Sequence, residues 1–329
     1  MEKYNTIYWC KNIIGCDEVV KRKYITEFAL SASGSYTVVL QQEHLEKLAN
    51  GPFNKKQPCH IYMIARRPRI MFDPSTIVIE KGAISGDVKV QRQAIQETHH
   101  IQVQHHLGKN NLRIECKFPY TEYTVYDEHG TDISFGKVAV LLTMSGHEYA
   151  DLLDLEILYV GQSYGVEGAR TAPERLQSHS TLQKIYGEAM RLSPDQDIWL
   201  LLWSFELTLL TSIDGTFTPT HEQIIVDDPH VEQVFKKRIT EQQQVNFTEA
   251  ALIKYFRPQY NTMFKDTFPS SAHSTYSECY DLDINSVGII LDTENINTRI
   301  WSPQVHPQWS HYHNFLLHSS LDRKSIFDI

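Results

Sequence analysis

The chain has 329 residues, 41% of them hydrophobic and 22% charged, enough to bury a sizeable core across two or more domains. Its formal net charge of −9 argues against a protein that coats nucleic acid by bulk electrostatics, but it leaves room for a local basic groove. The five cysteines are odd in number, scattered and without zinc-ligand spacing, so a disulfide scaffold is not expected.

The opening Met1-Glu2-Lys3-Tyr4-Asn5-Thr6 is polar and lacks a signal-peptide core, which makes a reducing cytoplasm the expected compartment. The longest apolar runs, at 138–142 and 198–203, are too short to span a bilayer and read as buried strands. No membrane association is expected.

In chain order, residues 43–48 read as a short helix. The segments 76–80, 87–91, 100–105 and 112–118 alternate apolar with polar residues at the period of half-buried strands. Gly82, Gly86, Gly108 and Gly130 punctuate them as turns. From residue 137 the pattern changes. The run 137–143 is continuously apolar and predicts a strand, as does 156–161, with 145–154 connecting them.

A helix is expected from a cap at Thr171, with Pro173 and Glu174 in its first turn, to about residue 191. Residues 197–206 predict a deeply buried strand, and Asp228-Pro229 predicts the start of a helix reaching residue 243. Thr248 reads as the cap of a last short helix, which must end by Arg257 because Pro258 disfavours a helical residue before it. A polar linker, a strand at 287–291 and an aromatic, histidine-rich tail close the chain.

The fold class is α+β. Residues 1–135 are expected to form a β-rich domain that recognises a target or a protein partner, 136–265 a second domain, and 266–329 a C-terminal extension.

The chemistry gathers in the second domain. Arg175 and His179, four apart on the expected helix, would share a face and converge on one oxyanion. Glu249 is a carboxylate suited to a hard divalent cation, which takes oxygen ligands with water and phosphate completing the shell. Tyr159 ends a buried strand just before Gly161. Lys236-Lys237-Arg238, Lys254, Arg257 and Lys265 outnumber the acids around them and would form a basic wall for a phosphate backbone. The histidines at 99–100 and 105–106, and those at 306, 311, 313 and 318, lack convergent zinc spacing and read as strand or surface residues.

Taken together, Tyr159-Val160-Gly161, Arg175-Leu176-Gln177-Ser178-His179 and Glu249 with Arg257-Pro258-Gln259-Tyr260-Asn261 resemble the GIY-YIG nuclease family. The resemblance covers residues 137–265 and implies a small antiparallel sheet flanked by helices. It implies that Glu249 holds a single Mg²⁺ or Mn²⁺ and that Arg175 stabilises the pentavalent phosphate. Tyr159 would orient or deprotonate the attacking water, His179 would act as base or phosphate ligand, and Asn261 would hold the site together. Arg170, Lys184, Lys254 and Arg257 are the candidate contacts to substrate.

The family opens with Gly-Ile-Tyr on the preceding strand. Residues 138–143 carry no tyrosine, so Tyr149 is the expected substitute. The implied activity is metal-dependent endonucleolytic hydrolysis of DNA, with bacterial genome defence, by restriction or against phage, as the setting. The alternative is a catalytically degenerate module that binds nucleic acid or a protein partner within a larger complex.

Overall fold

A mixed eight-stranded sheet organises the molecule, as seen in a computed structural model that describes residues 22–48, 53–54, 57–80, 82–108, 111–164, 172–216, 218–237, 239–270, 277–318 and 325–327. The chain enters it through β1 (Thr26–Leu40) and β2 (Ile61–Pro68), joined across a 3-10 helix at Gln42–Leu48. It then leaves the sheet for an excursion. β3 (Ile70–Phe72), β4 (Val78–Glu80), β5 (Ala83–Arg92) and β6 (Ile95–Gln104) form one small antiparallel sheet. β7 (Arg113–Glu115), β8 (Glu122–Tyr126) and β9 (Asp132–Lys137) form a second. Two short helices, α1 (Val138–Thr143) and α2 (Ala150–Leu153), lead back.

The chain rejoins the large sheet at β10 (Leu155–Gln162). It continues through α3 (Ala172–Leu176), α4 (Ser180–Leu192), β11 (Gln196–Ile213), α5 (His221–Lys236) and α6 (Glu241–Phe256). After α7 (Ser277–Asp281) come β12 (Ser286–Asp292), β13 (Ile300–Ser302), β14 (Val305–Gln308) and β15 (Ser310–Leu316). The strand order is β14-β13-β10-β2-β11-β1-β12-β15. The β10–β13 and β1–β12 pairs are parallel, and the other neighbours are antiparallel.

The fold is therefore α+β, but the sheet crosses both expected domain boundaries. β1 and β2 come from residues 1–135, β10 and β11 from 136–265, and β12 to β15 from 266–329, all in one hydrogen-bonded array. Strand β2 explains why. Its run Ile61-Tyr62-Met63-Ile64-Ala65 is buried throughout, the pattern of a strand covered on both faces. Ile61, Met63 and Ala65 join Trp199, Leu201 and Trp203 beneath α6. Tyr62 and Ile64 join Leu200 and Leu202 beneath Leu176 of α3 and Leu182 and Ile185 of α4. A strand so enclosed belongs to the middle of the sheet, between β10 and β11.

Several local expectations change. Residues 138–143 are helical: Val138, Ala139, Leu141 and Leu142 are buried while Val140 is 43% exposed, a helical rather than alternating burial pattern. The helix expected over 171–191 is broken, because α3 ends at Leu176 and α4 begins at Ser180 with His179 as its N-cap. Arg175 and His179 thus do not share one helix. The Thr171 cap and the loop 165–170, Arg170 included, lie outside the described residues.

Helix α5 starts at a Thr220–Gln223 capping box and runs through Pro229, and α6 starts at a second box, Thr240–Gln243. Thr248 therefore sits inside α6, its hydroxyl donating back to Gln244 O at 2.8 Å, and Glu249 is not in a first turn. The helix does end at Phe256, with Arg257 in the left-handed region. Among the described residues no helix is long and apolar enough to cross a membrane.

Candidate active site

Strand β10 builds the site from both its edges. On one side it pairs antiparallel with β2, and the register sets Gly161 opposite Tyr62. A Cβ on Gly161 would lie 2.5 Å from Tyr62 Oη and 2.6 Å from Tyr159 Cε1. Only glycine leaves the two phenol rings room to meet over this point. Their centroids are 6.2 Å apart, and the His179 ring stands 5.6 Å from Tyr62 and 5.5 Å from Tyr159.

His179 has a fixed role. As N-cap of α4 its Nδ1 accepts the backbone N–H of Leu182 at 3.1 Å, which leaves the neutral ring's proton on Nε2. Nε2–H then donates to Tyr62 Oη, 2.8 Å away. Arg175, at the end of α3, sets its guanidinium charge beside the Tyr62 hydroxyl. The imidazole is thus arranged as a donor to Tyr62 rather than as a free base. The Nε of Arg175 is buried without a hydrogen-bond partner among the described residues, so the guanidinium keeps a donor in reserve.

The other edge of β10 is closed by α6 and the turn after it. A bulge at Leu158 leaves its carbonyl to accept Tyr260 N at 3.0 Å. Asn261 is buried and grips the next outward-facing position twice, Nδ2 to Val160 O at 2.8 Å and Oδ1 from Val160 N at 2.9 Å. Two residues on, the side chain of Gln162 reaches α6 and donates to Asn246 Oδ1 at 2.6 Å.

Burial pushes the Glu249 carboxyl up to about 7, against the pull of the nearby Gln162 donors and the Arg175 charge. Burial also raises Tyr62 and Tyr159, and for Tyr159 the Glu249 charge adds to it while Arg175 opposes. The carboxylate oxygens of Glu249 are the hard donors that a divalent cation such as Mg²⁺ or Mn²⁺ takes in their ionised form.

Glu43, His44 and Glu122 form another carboxylate–histidine group. There the Lys137 ammonium lies 2.9 Å from Glu43 and 2.7 Å from Glu122 and offsets part of their charge.

Of the expected residues, Tyr159, Arg175, His179, Glu249 and Asn261 come together. Tyr149 does not. It sits in the excursion as the N-cap of α2, where its hydroxyl accepts the N–H of Gln102 at 3.0 Å. The tyrosine beside Tyr159 is Tyr62, which the sequence reading missed. Its signal was His60-Ile61-Tyr62, with histidine in the place of the expected glycine. His60 is buried and donates from Nδ1 to Ser163 O at 2.7 Å, tying the start of β2 to the residue after β10.

The expected basic wall is largely spent within the protein. Arg257 bonds Lys265 O and Asp266, Lys236 pairs with Glu232, and Lys237 with Glu278. Lys184 is exposed, 3.9 Å from Glu188 and above the Tyr260 ring. Lys254 is half-buried near the end of α6. Arg238 lies outside the described residues. Comparison with family models, with curated proteins and with solved structures found no match.

Proposed function

We propose that the chain is a metal-dependent endonuclease that hydrolyses DNA phosphodiesters, with a GIY-YIG-type site whose first two strands are separated by the excursion 69–154. The observation that carries this reading is the meeting of Tyr62 and Tyr159 over Gly161, with Arg175, His179 and Glu249 around them. His60-Ile61-Tyr62 then takes the role of the family's opening Gly-Ile-Tyr, on the strand beside Tyr159-Val160-Gly161. The strands β10, β2 and β11 between α3–α4 and α6 correspond to the small flanked sheet that the resemblance implies.

Each group has a defined task. A divalent ion on Glu249 supplies, when bound, charge stabilisation for the leaving oxygen. Arg175 has a buried, unpartnered Nε and donates to a non-bridging phosphate oxygen as negative charge develops there. The Tyr62 hydroxyl, held by its hydrogen bond to His179 and raised by burial so that it stays a neutral phenol, is turned towards the attacking water. Tyr159, alongside, orients that water.

The test is cleavage of supercoiled plasmid with Mg²⁺ or Mn²⁺ by the full chain and four variants. Glu249→Gln, Arg175→Ala and Tyr62→Phe should each lose about 100-fold or more, the cost of a lost transition-state donor or ligand. Tyr149→Phe should retain activity. Undiminished cleavage by Glu249→Gln or Arg175→Ala would overturn the assignment. DNA binding without cleavage by any version would favour a binding module on the same fold.

A further inference from the structure

We infer that β15 is a self-association edge: a second copy of this chain pairs antiparallel with it, about a two-fold axis through Tyr312. The inference concerns assembly and does not depend on the reaction at Glu249.

The register defines the free edge. At the two ends of the β12–β15 ladder, Thr293 N donates to Trp309 O at 3.0 Å and Leu317 N to Asn285 O at 2.8 Å. Backbone groups point to alternate edges along a strand, so the odd-numbered residues of β15 face β12. The N–H and C=O groups of Ser310, Tyr312 and Asn314 therefore face the other way. Among the described residues, no strand pairs with that edge.

Natural sheets blunt such edges with charges, proline or short strands. β14, the other terminal strand in the order, is protected in this way, being four residues long with Pro307 among them. β15 is not. Its seven residues, Ser310-His311-Tyr312-His313-Asn314-Phe315-Leu316, include no proline, lysine, arginine or carboxylate.

The strand is also its own complement. About Tyr312 it reads polar, histidine, tyrosine, histidine, polar in both directions. A copy laid antiparallel on that centre sets Tyr312 opposite the partner's Tyr312, His311 opposite the partner's His313 and Ser310 opposite the partner's Asn314. The outward backbone groups then exchange about six hydrogen bonds. The Asn314 amide is already held on Phe327 O at 2.9 Å, which leaves its backbone for the pairing.

The match extends across each β12. His311 and His313 turn towards Tyr255 of α6, so Tyr312 and its register partner Ile290 lie on the opposite face, 59% and 39% exposed. Pairing makes one apolar row of Ile290, Tyr312, the partner's Tyr312 and the partner's Ile290. The adjoining row runs Asp292, Ser310, the partner's Asn314 and the partner's Gly288, so Asp292 meets no like charge. An unrelated strand would find the same backbone groups but not rows that match on both sides of the axis. The closed two-fold contact is the commonest way for a chain to meet itself.

Pairing through one strand edge makes a small interface of the weak class, so sedimentation velocity of the full chain over about 1–100 μM should show a shift from one chain to two. Tyr312→Lys and Tyr312→Glu each place like charges on the axis and should weaken the dimer by about 100-fold or more. Mixed in equal amounts, the two variants should associate again, because lysine then faces glutamate. Tyr312→Pro removes the outward N–H without touching the ladder to β12 and should also be monomeric. Melting temperatures of the lysine and glutamate variants should stay near wild type, since the Tyr312 side chain is exposed.

A wild-type chain that stays monomeric at about 100 μM would overturn the inference. Undiminished dimer in Tyr312→Lys would do the same. Association lost in both charged variants and not restored on mixing would overturn the axis through Tyr312. Should the proline variant fail to fold, the lysine–glutamate pair decides the question alone.

Discussion

Gly161→Ala tests the centre of the site with one methyl group. The added carbon would stand 2.5 Å from Tyr62 Oη and 2.6 Å from both Tyr62 Cζ and Tyr159 Cε1, closer than carbon atoms approach without displacement. Tyr62 is fully buried, so its ring moves only by pushing on neighbours, and overpacking of this kind costs about 1–3 kcal/mol. Loss of the His179–Tyr62 hydrogen bond adds about 1 kcal/mol.

The melting temperature should therefore fall by about 2–6 °C. Cleavage should fall more steeply, by about 100-fold, because a shift of about 1 Å in a positioned group costs that much in rate. Thermal melts and single-turnover cleavage read both effects, with far-UV circular dichroism checking that the fold persists. In a Tyr62→Ala background, Gly161→Ala should be markedly milder, with a coupling of about 1–3 kcal/mol between neighbours. An unchanged melting temperature and rate for Gly161→Ala would refute the claim that the two rings meet over this residue.

Two further outcomes follow from other parts of the molecule. Asn261→Ala strips the partners from the buried N–H and C=O of Val160 and should destabilise the protein by about 2–4 kcal/mol in urea unfolding, with Arg257→Ala milder because its guanidinium bonds are partly exposed. His311, buried against Tyr255 and Gln308, is held by burial down to about 4. Between about pH 4 and 6.5 the unfolded chain therefore binds more protons than the folded one. The stability His311 contributes is complete above 6.5 and is lost as pH falls towards 4, by about 3 kcal/mol in all. His311→Gln should flatten the acid limb of a melting-temperature profile, and superimposable limbs would count against it.

Much of the architecture was legible locally. The alternation in 76–105 marks β4 to β6, the continuous apolar run at 198–203 marks the doubly covered part of β11, and Pro258 marks the end of α6. What escaped was of two kinds. Short apolar runs carry no period that separates helix from strand, so 138–143 read as a strand although its burial is helical. Capping boxes closed by glutamine at Thr220 and Thr240 give weaker signals than Asp228-Pro229 and Thr248, which misplaced two helix starts and put Glu249 in a first turn it does not occupy.

The site was half legible for a different reason. Tyr159, Arg175, His179, Glu249 and Asn261 lie on elements close enough in sequence to be read in order. Tyr62 does not, because the strand that carries it pairs with β10 only after the chain has folded two further small sheets between them. His60 stands where the resembled motif would have glycine, so the remaining local cue was missing.

That separation constrains how the site can be assembled. The β2–β10 pairing closes a loop spanning the excursion, and loop-closure entropy grows only slowly with length, so the insertion costs little equilibrium stability. It costs order in time, since non-local strand pairs form late compared with local hairpins. The β5–β6 and β8–β9 hairpins are local, whereas Tyr62 reaches Tyr159 only through the long-range register. The excursion is also tied to the sheet. Arg69 N donates to Asp195 O at 2.8 Å, Gln93 N to Asp195 Oδ2 at 2.8 Å, and Arg67 donates to Leu153 O while stacking on Trp199. These contacts hold the exit of β2, the start of β11 and the approach to β10 together at the end of the sheet away from Tyr62. Pinning both strands at that end fixes the register that sets Tyr62 opposite Gly161, so the excursion can lie far from the chemistry and still decide whether the two phenols meet.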